Sequence, residues 1–536
     1  MIQFLAKTLA SGQGKFDCRR TFPRHLLHRI TTLALAACTA LFAQTLYTTP
    51  LKAESTDRPN IVLILADDLG WGDLSCYGNK DRETPHLERM AQQGARLTDF
   101  YVSTASCGPS RAALLTGRYP YRTGVSRNPT PDAGLDHGIR ESETTLGELL
   151  QSAGYATKCI GKWHLGHLPP YYPTRNGFDE YFGILYSNDM RPVMLCRDDQ
   201  AVEYPVVQSY LTQRYTSEAT DFIRQHRDEP FFVYLPHAMP HKPLAASESF
   251  YTPQTRDNLY SDVVRELDWS VGQVLETIRE LELEKNTLVI FSSDNGPWFG
   301  GSTGGLRGMK GSNWEGGIRV PGIVWWPGRI PGGQVISTPC ATIDVLPTIA
   351  ALVDQPIDHL HVDGHNIMPV LDGSKATLSR QIYAWTGTTL GSIREGKWKL
   401  HVSKPRARPR GKATDEWIDP RGPDGFTLIA PPEQYEPWQY PSDADGPDTA
   451  PAIAGTLFDL STDPGEQRDL AAANPDIVQR LTKLADKAIA DATLHIEKQP
   501  PRPNTQFYAG PGRITAENAV PIKQALDTTR DRKTPE

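Results

Sequence analysis

Several common features are missing from the sequence. No Cys-x-x-Cys pair and no Cys/His set at zinc-ligand spacing occurs in its 536 residues, which argues against a structural zinc site. No internal repeat is present, so a solenoid or propeller is excluded. Positive charge is also in short supply: 56 Lys and Arg face 63 Asp and Glu. The first 53 residues hold seven of those basic side chains and one acidic one, which leaves 49 against 62 and a net charge of about −13 in the remainder. A general nucleic-acid binder needs a basic footprint, so no nucleic-acid partner is expected. An anionic ligand must be met by a local cluster of cations.

Long apolar runs are scarce too. The principal one, residues 30–46, follows a basic segment that ends at Arg29 and precedes polar sequence near Glu54. It is short for a bilayer span, which needs about 20 apolar residues, and Thr and Gln interrupt it. Residues 1–53 therefore read as a signal peptide, with export to the periplasm or the medium as the consequence. Leu35-Ala36-Ala37-Cys38 is similar to a bacterial lipoprotein-processing site, which makes a lipid anchor through Cys38 the second reading. Beyond the leader stand Cys76, Cys107, Cys159, Cys196 and Cys340. In an oxidising compartment this odd number leaves one cysteine unpaired if the others pair.

What is present is ordinary globular material, 39% hydrophobic and long enough for more than one structural unit. Apolar, β-branched runs bounded by turn residues predict buried strands over 61–66, 231–235, 288–292 and 322–326, with 157–160 a weaker one. Helical spacing predicts a short helix over 145–153 and a long one over 258–283. Strands alternating with helices imply an α/β fold, a large mainly parallel sheet sandwiched by helices, over 54–375. From 376 to 497 the pattern changes to strands over 381–385, 392–401 and 455–460 and a helix over 475–490. This predicts a smaller C-terminal domain, an antiparallel sheet plus helix. It is interrupted by an insertion at 404–451 rich in Pro, Asp and Gly and dotted with Trp417, Phe426, Tyr435, Trp438 and Tyr440. Such an aromatic-rich segment reads either as a loop folded over a site or as an insertion packed for stability. Residues 498–536 form a polar tail to which no structure is assigned.

Polar residues follow the apolar strands. Asp67 and Asp68 follow NIVLILA, Lys162 and His164 follow TKCIG, His237 and His241 follow FFVYL, and Asp294 and Asn295 follow LVIFSS. Strand carboxyl ends form the ligand crevice of open α/β sheets, so these residues can converge. Asp67, Asp68, Asp294 and Asn295 offer hard oxygen ligands suited to Ca²⁺ or Mg²⁺. Three like charges brought together also call for a cation to offset them. In CGPSRAALLTGR, residues 107–118, Pro109 fits the first turn of a helix running to Thr116, which places Cys107 near a helix N-terminus where that end and Arg111 favour an anion.

At this point the sequence resembles the formylglycine-dependent sulfatases of the alkaline-phosphatase-like superfamily. The resemblance is carried by C-x-P-S-R with LLTGR, NIVLILADDLGWGD from Asn60, GKWHLG from Gly161 and YSNDM from Tyr186. It continues through His237-Ala-Met-Pro-His241-Lys-Pro, SSDNGP from Ser292, KGSNWEGGIRVPGI from Lys310 and FDLSTDPGEQRDLA from Phe458. It implies a sulfatase that hydrolyses sulfate esters through a formylglycine made from Cys107 by a formylglycine-generating or equivalent maturation enzyme. Asp67, Asp68, Asp294 and Asn295 are the implied Ca²⁺ ligands, with the modified Cys107 side chain also reaching the metal. Lys162, His164, His241 and Lys310 are the implied sulfate-binding and acid/base group, and Arg111 would hold the formylglycine. Ser187 fits a further substrate-binding position of the arylsulfatase-A-like branch.

The implied chemistry places one hydroxyl of the aldehyde hydrate on sulfur with Asp294 as base, while His241 and Lys310 protonate the departing oxygen and His164 assists release of sulfate. Sulfated carbohydrates are the expected substrates, on the strength of export and the aromatic insertion. A phosphodiesterase or phosphonate monoester hydrolase of the same superfamily is the alternative within the class. A non-catalytic anion- or carbohydrate-binding protein is the alternative outside it. His237 is expected to be structural or to support the site from behind the residues that meet the ligand, and Asp363-Gly364-His365 to be a turn at the end of the first domain. The sequence carries no signal of oligomeric state.

Overall fold

The structure is a computed structural model that describes residues 58–130, 138–190, 193–298, 300–405 and 453–497. The expected signal peptide, the aromatic insertion from residue 406 onward and the polar tail lie outside the described residues.

The centre of the molecule is strand β1, Asn60–Ala66, buried along its whole length. Its sequence NIVLILA is apolar at every position but the first because it feeds two cores: Ile61, Leu63 and Leu65 enter one, Val62, Ile64 and Ala66 the other. A strand covered on both faces has no position to spare for a polar side chain. The large sheet also contains β2 (Ala95–Tyr101), β3 (Ala156–Lys162), β4 (Glu180–Ile184), β5 (Leu195–Arg197) and β6 (Gln200–Glu203). It is completed by β7 (Phe231–Pro236), β8 (Thr287–Ser293), β9 (Arg319–Trp325), β10 (Gln334–Ile336) and β11 (Cys340–Ala341). The order is β10-β2-β9-β8-β1-β7-β3-β4-β5-β6, with β11 paired to β2. The run β8-β1-β7-β3-β4 is parallel, while β9 is antiparallel to both β8 and β2.

Helices cover both faces. On one side lie α1 (Pro85–Gln93), α4 (Leu211–Gln225) and α5 (Thr255–Glu280), which bury Leu87, Phe222, Val263 and Leu267. On the other lie α2 (Cys107–Thr116), α3 (Leu146–Ser152) and α6 (Val345–Leu352), contributing Leu114, Leu149 and Ile349. A second, antiparallel sheet follows in the order β12 (Gln381–Thr386), β13 (Thr389–Glu395), β14 (Trp398–His401) and β15 (Leu457–Asp459). Helix α7 (Pro475–Glu497) buries Leu481 and Ala485 in the core that this sheet shares with α2 and α3.

The fold class matches the expectation from sequence, and the differences have local causes. Helix α2 begins at Cys107, two residues before Pro109. Strand β2, ARLTDFY, was not expected, because Arg96 and Thr98 break its apolar pattern; both remain half-buried while Leu97, Phe100 and Tyr101 enter the core. The stretch over 392–401 is two strands, β13 and β14, with the hairpin turn at Gly396. The five cysteines in the described residues are all free, so the pairing considered from their odd number is not found.

The register fixes the site. Ala66 lies opposite Ser293 of β8, and Leu65 opposite Pro236 of β7. Asp67, Asp294 and His237 therefore leave the sheet side by side, and the Asp294 N–H donates to the Ala66 carbonyl at 3.1 Å. Gly161 has a positive φ of 135°, and a Cβ there would fall 1.9 Å from the Pro236 carbonyl oxygen. Only glycine lets β3 run this close to β7 and deliver Lys162 beside Asp67.

Candidate active site

Cys107 opens α2, and its Sγ lies 3.5 Å from Asp67 Oδ1 and 4.0 Å from Asp68 Oδ1. Asp68 takes a left-handed φ of 65° and His164 one of 59°. Such conformations are uncommon away from glycine and cluster at functional sites. The Asp68 side chain is thereby turned toward Lys310, whose Nζ lies 2.6 and 2.8 Å from its two oxygens, and toward His241 Nε2 at 3.6 Å. Lys162 pairs with Asp67 Oδ2 and donates to Ser187 Oγ at 3.0 Å. Arg111 is wholly buried. Two of its nitrogens reach Asp294 Oδ2 at 3.0 and 2.9 Å, one of them lies 3.3 Å from Asp67 Oδ2, and the third donates to the Lys162 carbonyl at 2.6 Å.

The eleven residues singled out from sequence are brought together at the carboxyl ends of β1, β3, β4, β7 and β8, with the start of α2 and the loop that carries Lys310. Arg111 hydrogen-bonds Asp294 and the Lys162 carbonyl, one helical turn from Cys107. His237 is buried, with Nε2 at 3.3 Å from Ser270 Oγ. Asp363 accepts the Tyr119 N–H at 2.8 Å and Arg122 Nε at 3.0 Å, so it ties a helix-linking loop rather than a ligand.

Two participants were missed. Asn128 Oδ1 accepts the Gly108 N–H at 2.9 Å and Ser106 Oγ at 3.1 Å, which caps the start of α2 beside Cys107. Asp189 shares a cavity of about 150 Å³ with His164, Ser187, His241 and Lys310. Asp189 stands inside the quoted YSNDM, so its motif was visible; Asn128 sits in a loop with no pattern of its own.

Burial alone would raise the Asp67 carboxyl, but Lys162, His241, Arg111 and Lys310 outweigh it and hold that carboxyl well below the usual range. Asp294 goes the other way, to about 7, because burial and the neighbouring Asp67 charge exceed the pull of Arg111. Burial, helped by Lys310, lowers His241 to about 4, and burial with Lys162 keeps His164 neutral as well. His164 Nε2 lies 3.1 Å from the Pro129 carbonyl, which assigns the proton to that nitrogen and leaves Nδ1 as an acceptor. Burial pushes the Cys107 thiol above its ordinary value despite Lys162 and Lys310.

A metal fits this donor set. Asp67, Asp68, Cys107 and His241 each place one ligand atom within 4.8 Å of the others. Asn295 Nδ2 lies 2.6 Å from Asp68 Oδ1 while its Oδ1 is buried without a hydrogen-bond partner. That carboxamide oxygen, with Nδ2 also held by the Gly296 carbonyl at 2.9 Å, is a buried acceptor of the kind a hard cation satisfies.

The sulfatase family model matches residues 59–355. The chain belongs to the sulfatase family. It is similar to N-acetylgalactosamine-6-sulfatase of Sus scrofa, 38% identical over 463 residues, covering 80% of this chain and 84% of that protein. It is also similar to arylsulfatase A of Homo sapiens, 35% identical over 468 residues, with 80% and 87% covered. Among solved structures, Ps i-CgsB in complex with k-i-k-neocarrahexaose shares the fold with a TM-score of 0.65 and 26% identity, covering 88% of this chain and all of that one. As a sulfatase, the protein is a sulfuric ester hydrolase, and the cluster of cations around Cys107 is its candidate centre. Among the described residues no helix is long and apolar enough to cross a membrane.

Proposed function

We propose that this sulfatase is an exported enzyme that removes sulfate from carbohydrates, with Cys107 converted to formylglycine and Ca²⁺ held at the strand ends. The observation that carries this reading is the placement of Cys107 at the first turn of α2, against Asp67 and Asp68 and within the reach of Lys162 and Lys310. Its thiol is buried and stays protonated, which is the wrong state for a thiolate nucleophile. Asp67, Asp68, Asp294 and Asn295 would hold the cation, with His241 close to the same point. When present, the formylglycine supplies an oxygen nucleophile and the metal supplies a Lewis acid.

The remaining work falls to the chain's own side chains. Lys162 and Lys310 set two positive charges around the space where a sulfate group enters, in a buried site where they act with little screening. Ser187 holds Lys162 on the pocket side. Arg111 offsets Asp67 and Asp294 from beneath, so that these two carboxylates stay together in the folded protein. His164, with Nδ1 unprotonated, is placed to accept a proton. Lys310, held charged by Asp68 against the effect of burial, supports proton delivery to the departing oxygen beside His241. Carbohydrate substrates are supported by the N-acetylgalactosamine-6-sulfatase relative and by the oligosaccharide bound in Ps i-CgsB. Export is supported by the basic and apolar leader.

The test compares matured protein on sulfated monosaccharides, 6-sulfated N-acetylgalactosamine first, and on a matched sulfate and phosphonate ester pair, with and without EGTA. Turnover of the sulfated sugar, preference for sulfate in the pair and a loss restored by Ca²⁺ are expected. A preference of tenfold or more for phosphonate would overturn the substrate class, and activity indifferent to chelation would overturn the metal.

A further inference from the structure

The motif over 458–471, FDLSTDPGEQRDLA, has no part in the chemistry above, yet one of its residues reaches toward it. Glu466 is wholly buried and takes a left-handed φ of 52°. Its side chain points at the segment 307–317 that carries Lys310. One carboxylate oxygen accepts the Glu315 N–H at 2.6 Å. The other accepts from His401 Nε2 at 2.7 Å and lies 3.0 Å from Lys399 Nζ. Its carbonyl accepts from Arg307 at 3.1 Å. Glu315 opens the one-turn helix Glu315–Ile318, so its N–H has no partner inside that helix and needs an acceptor from outside. Glu466 is that acceptor.

We propose that Glu466 is a positioning residue, through which the smaller sheet fixes the 307–317 segment and with it the Lys310 ammonium. The segment is bonded to the site at three points. The Lys310 N–H donates to the Pro297 carbonyl at 3.0 Å, the Gly311 N–H to Ala105 two residues before Cys107 at 2.8 Å, and the Gly296 N–H beside Asn295 to Gly317 at 2.9 Å. Trp314, in the same segment, is wholly buried with the Arg307 guanidinium 3.8 Å from one ring centre and the His401 ring 4.4 Å away. Without the Glu466 carboxylate, the Glu315 N–H and His401 Nε2 lose their acceptor in a buried interior, where unpaired donors are costly, while Lys399 keeps the Glu315 carboxylate at 2.9 Å. The cheapest relief is a shift of the segment, and Lys310 moves with it. A displacement of about 1 Å is enough to cost roughly a hundredfold in rate.

This inference rests on Lys310 contacting the sulfate ester, as proposed above, and the experiment separates the two. The matured full chain is assayed with 4-nitrophenyl sulfate as wild type, Glu466→Gln, Glu466→Ala, Lys310→Ala and the Glu466→Gln/Lys310→Ala pair. Leu481→Ala serves as a variant weakened in the core of α7 without touching the segment. Glu466→Gln is expected to lower kcat about tenfold or more with KM changed less than about threefold, and to lower it less than about threefold in the Lys310→Ala background. Leu481→Ala keeps its kcat. Equal losses from Glu466→Gln in both backgrounds, an unchanged kcat, or failure of both Glu466 variants to fold would each overturn the positioning role. A wild-type rate in Lys310→Ala would instead overturn the reading of Lys310 itself.

Discussion

At the scale of single residues, the site is a balance of buried charge. Asp67, Asp68 and Asp294 converge because β1 and β8 end together, and Arg111, Lys162 and Lys310 make that convergence tolerable in the absence of water. Arg111 matters most for the fold of the site, because one planar group meets Asp294, Asp67 and the Lys162 carbonyl at once. A lysine presents a point charge on a flexible stem and cannot keep all three. Arg111→Lys is therefore expected to lower stability by about 2–4 kcal/mol, by leaving buried carboxylates short of a partner, and to reduce turnover at least about a hundredfold. Thermal melting and steady-state rates measure both, and a variant matching wild type in both would show that the third contact is idle. The strand-end residues were legible in sequence because short polar pairs after apolar runs have a fixed meaning in α/β sheets. The orientation of Arg111, the cap supplied by Asn128 and the place of Asp189 were not, because each depends on where a loop lands rather than on spacing.

At the scale of elements, legibility followed burial. β1, β7 and β8 are buried on both faces and showed as continuous apolar runs; β2 alternates with polar residues and was invisible, as were the short strands β4 to β6 toward one edge of the sheet. The long helix α5 was legible by its spacing, and it carries a feature that was not. Glu266 on this helix is buried and accepts from the Ser247 N–H at 3.0 Å and the Ser247 hydroxyl at 2.6 Å. Burial outweighs those bonds and pushes its carboxyl up to about 7. A native state that holds this proton more tightly than the unfolded chain is most stable below about pH 4.5. It loses stability as pH rises toward 7, by about 3 kcal/mol from this group. Glu266→Gln keeps an oxygen acceptor and removes the titration, so its stability relative to wild type is expected to rise between pH 5 and 8. Urea unfolding at the two pH values checks this, and parallel pH profiles for the two proteins would contradict it.

At the scale of the whole molecule, an acidic protein brings Arg111, Lys162 and Lys310 to one end of one sheet, where a sulfate ester can be met by positive charge. The smaller sheet takes part by holding the Lys310 segment, which ties a C-terminal motif to the chemistry of strands more than a hundred residues earlier. The chemistry of the site turns on what Cys107 becomes. Mass spectrometry of the peptide that contains Cys107, on protein from its native host assayed for sulfate ester hydrolysis, tests this most directly. The account predicts the aldehyde of formylglycine in the active material, in proportion to its activity; an intact thiol throughout a preparation that hydrolyses sulfate esters would contradict it.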